Sequence, residues 1–114
     1  MITALAEGIV VLDELGTIVS CNPSACLILG NSAEKLVGRN ASDPSWHTVH
    51  EDGSPFPTEI HPVMVTLRTG KPQANVVMGV HREDGRLVRL SINTEALVRS
   101  DATNHYGNVA SFSD

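Results

Sequence analysis

The chain has 114 residues, a formal net charge of -5 and a hydrophobic share of 41 %, enough for one domain that buries about two thirds of its unfolded surface. Its two Lys and six Arg are scattered singly, so no basic stripe exists for a phosphate backbone and nucleic acid is not an expected partner. No apolar run approaches the roughly 18 residues needed to span a bilayer, and the N-terminus lacks the basic flank and cleavage site of a signal peptide, which points to a cytoplasmic domain with no membrane partner.

Residues 1–7 read as a short leader, with Ile2 to Ala6 apolar enough for a helical turn. Residues 8–21 read as a first hairpin. Gly8 to Leu12 is a continuous apolar, β-branched run, the pattern of a strand covered on both faces. Asp13-Glu14-Leu15-Gly16 supplies a turn and Ile18 resumes the sheet. Asn22-Pro23 is a helix start, because Asn accepts the orphan amides of a first turn and Pro forfeits no needed donor there.

Residues 22–70 form a helical and loop region. A first helix over Pro23 to Leu29 stops at Gly30-Asn31, and a second over Ser32 to Leu36 is ended by Gly38. Asn40 to Pro57, with three prolines and Gly53, reads as irregular apart from a turn around Asp43 to His47. Pro62 starts an amphipathic helix in which Ile60, Val63, Met64 and Leu67 share a face and Gly70 closes the end.

Residues 73–114 read as a three-stranded meander. Asp84-Gly85 is a hairpin turn that sets Val76, Met78 and Val80 opposite Val88, Leu90, Ile92 and Thr94, while Arg89, Ser91 and Asn93 point outward. Arg99 to Asn104 is a polar loop, and Tyr106 to Ser113 is a last strand with Asn108, Ala110 and Phe112 on one face. The fold class is therefore α+β: a five-stranded antiparallel sheet with short helices inserted between strands two and three and packed on one face.

The Asp13 turn, Ile18, Asn22-Pro23, Gly30, Gly38-Arg39, Glu51-Asp52-Gly53, Leu67-Arg68-Thr69-Gly70, Asp84-Gly85 and Ser113-Asp114 occur in the order found in PAS (sensory box) domains. The chain resembles such a domain of a bacterial signalling protein over nearly its whole length. The resemblance implies a regulatory sensor that continues beyond Asp114 into a linker and an output domain, either a histidine kinase, a cyclic-dinucleotide enzyme or a phosphatase. The apolar outer face of the first strand, with Ile2 and Leu5 ahead of it, needs covering by the leader or a second subunit, so a homodimer is expected. In the blue-light flavin branch a reactive Cys follows Gly-Arg-Asn, whereas Gly38-Arg39-Asn40 is followed here by Ala41, which removes the thiol needed for a flavin adduct. Haem-binding members place an axial His on the helix that here begins near His61, but a His just before Pro62 reads more readily as a cap. Neither haem nor flavin is favoured, and a small organic ligand is left as the cofactor reading.

Catalysis has little support. No Gly-x-Ser-x-Gly or Gly-rich phosphate loop is present, so the chain reads as a non-enzyme. Cys21 and Cys26 lack a second Cys or His pair for zinc and read as buried reduced thiols, so no metal site is expected. The inward set Trp46, Val63, Met64, Leu67, Met78, Val80, Leu90, Ile92, Thr94 and Ala110 is poor in aromatic volume and is expected to line a core cavity for a small ligand, with the Trp46 indole and Thr94 as polar handles. The competing reading is a ligand-free interaction and dimerisation module with a full core.

Overall fold

The computed structural model describes residues 7–41, 46, 48–57, 60–82, 84–98 and 105–113. The leader over Ile2 to Ala6, most of the turn proposed for Asp43 to His47, the loop Arg99 to Asn104 and the terminal Asp114 lie outside the described residues.

Strands β1 (Gly8–Asp13) and β2 (Ile18–Cys21) form the first hairpin. Asp13 Oδ1 accepts from the amides of Leu15 and Thr17 at 2.9 and 3.0 Å, and Gly16 takes a left-handed φ of 83°. Helix α1 (Pro23–Leu29) starts where the sequence places it: Asn22 Oδ1 accepts from Ala25 N at 2.9 Å, and Gly30 closes the helix in the left-handed region. Helix α2 (Ala33–Leu36) follows with Ser32 as its cap. After the short strand β3 (Thr48–Val49) come helix α3 (Pro62–Thr69) and strands β4 (Gln73–His81), β5 (Leu87–Val98) and β6 (His105–Ser113).

The sheet has the order β2-β1-β6-β5-β4-β3 and is antiparallel throughout. The β4–β5 hairpin has the predicted register, with Val76, Met78 and Val80 opposite Ile92, Leu90 and Val88. Its strand count is six rather than five. Thr48 and Val49 are drawn out of the proline-rich stretch by pairing with Val80 and Gly79, a long-range backbone contact that leaves no local sequence pattern.

Two further expectations are corrected. Strand β1 is not covered on both faces: Val10 and Leu12 are buried, but Ile9 is 40 % exposed and Val11 half-buried. The helices pack on one side only, and an unbroken apolar run cannot show which alternate positions stay outside. On α3 the inward face is Pro62, Val63 and Thr66, with Met64 and Leu67 flanking it. Ile60 precedes the first helical turn and is largely exposed, since the 3.6-residue period begins only at Pro62.

Candidate ligand cavity

Between the helices and the inner face of the sheet lies an almost wholly apolar cavity of about 70 Å³. Seven of the ten predicted side chains line it: Trp46, Val63, Met78, Val80, Leu90, Ile92 and Ala110, joined by His61. Met64, Leu67 and Thr94 do not. Met64 and Leu67 pack beside Gly16 of the first turn, and Thr94 is held by hydrogen bonds under α3.

The sequence reading missed Val10, Leu12, Ile18, Leu29, Ala41, Thr48 and Phe112, which complete the wall. Phe112 could have been found, since it alternates with Ala110 along β6 and shares its face. Val10 and Leu12 reach the same face only through the pairing of Val10 with Ala110. Ala41 arrives through loop geometry and Thr48 through the pairing of β3 with β4, neither of which leaves a periodic signal.

Both proposed polar handles are engaged within the protein. Trp46 Nε1 donates to Asn40 O at 2.9 Å, and the Arg39 guanidinium carbon sits 3.8 Å from the centre of the indole, a cation–π contact. Thr94 shares a hydroxyl–hydroxyl bond with Thr66, which also donates to Lys71 O at 3.0 Å. Asn108 is completely buried beside them, and its Nδ2 donates to Val63 O at 3.3 Å. Thr66 and Asn108 were not anticipated as a polar row joining α3 to β5 and β6. A buried Asn on the inward face of a strand is itself a cue, because it must find partners.

His61 acts as the cap of α3, with Nδ1 accepting from Val63 N at 3.2 Å. Burial pushes its pKa down to about 4, so the ring at the cavity wall is neutral at physiological pH. Haem and flavin do not fit this arrangement. The cavity of about 70 Å³ is about half the roughly 150 Å³ that an apolar site offers to benzene, and either cofactor is several times larger than benzene. Ala41 lines the wall where the flavin branch needs its thiol. Among the described residues no three His, Cys, Asp or Glu side chains are grouped closely enough to hold a metal. The two cysteines are half-buried rather than buried, with sulfurs 3.9 Å apart, because Cys21 closes an edge strand.

The family model described as the PAS fold matches residues 1–54. Among solved structures, a PAS domain from Colwellia psychrerythraea shares 16 % identity at a TM-score of 0.71, covering 95 % of this chain and 85 % of that one. The light-state LOV domain of the blue-light photoreceptor Aureochrome1 gives 19 % identity and a TM-score of 0.74 over 97 % and 84 % of the two chains. The PAS-B domain of Drosophila melanogaster Cycle gives 14 %, 0.66, 93 % and 97 %. No curated protein matches the chain. Sequence match over residues 1–54 and architecture agree that the chain has the PAS fold. Among the described residues no helix is long and apolar enough to cross a membrane.

Proposed function

We propose that the chain is a non-catalytic regulatory sensor whose core cavity takes up a small, mainly apolar ligand and passes the change to an output domain through β6. The observation that carries this reading is the cavity itself: about 70 Å³, walled almost wholly by apolar side chains between the helices and the sheet. Its size selects ligands of a few heavy atoms, since a water's share of the liquid is about 30 Å³. The Cycle PAS-B neighbour was solved with ethylene glycol bound, a molecule of that size. With Thr94 and the Trp46 indole already satisfied internally, selection falls to shape and to the His61 edge.

Xenon uptake followed by NMR, in the parent chain and in Ala110→Val, tests the proposal. Ala110 lines the cavity, so the added methyls should leave stability unchanged or higher and abolish saturable xenon binding. Absence of xenon binding by the parent chain, together with a loss of about 1–3 kcal/mol in the variant as for an overpacked core, would reject the cavity. Thr94 lies off the cavity and is not a site for this filling test.

A second reading, an interaction module that works as a homodimer, is favoured by the outer face of β1. Ile9 is 40 % exposed and Val11 stands beside Val109 on the solvent side, an apolar strip suited to a second copy. Sedimentation of the parent chain beside Ile9→Lys decides it: a concentration-dependent dimer lost in the variant supports this reading, and a strict monomer at high concentration removes it.

A further inference from the structure

Cys21 ends β2 and Cys26 lies on the first turn of α1, with their sulfurs 3.9 Å apart and both side chains partly open to solvent. The joint between them is pinned by bonds in which neither thiol takes part. Asn22 Oδ1 accepts from Ile9 N and from Ala25 N, each at 2.9 Å, and its Nδ2 donates to Glu7 O at 3.0 Å. One side chain therefore fastens β1, the segment before it and the helix start together, and holds the two sulfurs in apposition. A disulfide needs them about 2 Å closer.

The geometry points to a reversible dithiol–disulfide site at Cys21 and Cys26, closed by exchange with a small disulfide. Burial and the neighbouring Cys26 thiol push the Cys21 pKa upward, and exchange opens at either sulfur. One thiolate attacks one sulfur of the small disulfide, forming a mixed disulfide and releasing one small thiolate. The other cysteine then gives up its proton and attacks the first cysteine's Sγ, expelling the second small thiolate. The protein loses two electrons and two protons, and the small disulfide is reduced to two thiols.

The closed form would staple β2 to α1, the two elements that contribute Ile18 and Leu29 to the cavity wall. Redox state would then act on the same layer contact as a ligand. The site itself stands on the cysteine geometry and does not depend on ligand uptake.

The test is exposure of the reduced full chain to oxidised glutathione, then acid quenching, alkylation and mass analysis of the tryptic peptide Met1 to Lys35, which contains both cysteines. Closure should leave this peptide unalkylated and about 2 Da lighter than the dithiol form, reversibly with dithiothreitol. Cys21→Ser and Cys26→Ser should each stop as a single glutathione adduct. Because any short loop can close to some degree, the closure equilibrium is also measured on the unfolded chain in guanidinium. Preorganisation should favour closure in the folded chain by about tenfold or more, corresponding to 30 mV for a two-electron couple. A persistent glutathione adduct on the folded parent chain, or closure no more favourable than in the unfolded chain, overturns the proposal.

Discussion

Thr66 of α3 and Thr94 of β5, both almost completely buried, are joined hydroxyl to hydroxyl. This polar contact fastens the helix to the middle of the sheet at a position where an amphipathic pattern would place an aliphatic pair. Its two members are not equivalent. Thr66 also donates to Lys71 O just beyond the helix end, whereas Thr94 has Pro62 O at 3.4 Å as its other neighbour.

Thr66→Val strips Lys71 O of its donor as well as Thr94 of its partner, and is expected to cost about 2–3 kcal/mol, against about 1–2 for Thr94→Val. The double variant should cost less than the sum of the two, because both single changes break the same hydroxyl–hydroxyl bond. Urea midpoints of the four chains measure both the order and the coupling. Strict additivity would show that the pair is not energetically linked.

The His61 cap predicts a defined pH dependence. Its folded pKa of about 4 lies below the ordinary 6.5, so between these values the unfolded chain binds the proton more readily and stability rises with pH. The contribution is complete above about pH 6.5, declines as pH falls towards 4, and amounts to roughly 2–3 kcal/mol across that window. His61→Asn keeps a side-chain acceptor for Val63 N and removes the titration. Its denaturation midpoint should fall less than that of the parent chain between pH 7 and pH 4, and parallel curves for the two would refute the assignment.

Gly107 faces β1 at the Asp13 end of the ladder. A Cβ there would run into the carbonyl oxygen of Leu12, a backbone atom that cannot rotate away. Gly107→Ala should therefore force β1 and β6 apart and cost roughly 3 kcal/mol, towards the upper end for a single substitution. Gly53→Ala serves as the comparison. Gly53, unlike Gly107, has a positive φ but meets nothing within 4 Å, so its cost should be confined to backbone strain of about 1 kcal/mol. Thermal melts that rank the two in the opposite order would reject the steric reading.

The helix starts, the turns and the β4–β5 register were legible because each is decided within a few residues. Asn22 caps the helix that follows it, Asp13 bonds amides two and four positions on, and the Asp84-Gly85 turn sets the pairing of Val80 with Val88. Alternation along β4, β5 and β6 likewise placed Met78, Leu90, Ile92 and Ala110 on the inner face. The sequence alone thus determined the order of the elements apart from β3, the inward faces of β4, β5 and β6, and the α+β class. Tertiary structure decided the rest. Thr48 and Val49 become a strand only because β4 offers a free edge, and Met64 and Leu67 pack beside Gly16 while Val63 and Thr66 form the buried face of α3. Trp46 reaches the wall but spends its N–H on Asn40. The common reason is range: a cap or a turn is settled by neighbours in the chain, while a cavity is the space left where distant side chains fail to meet, and its shape exists only once all of them are in place.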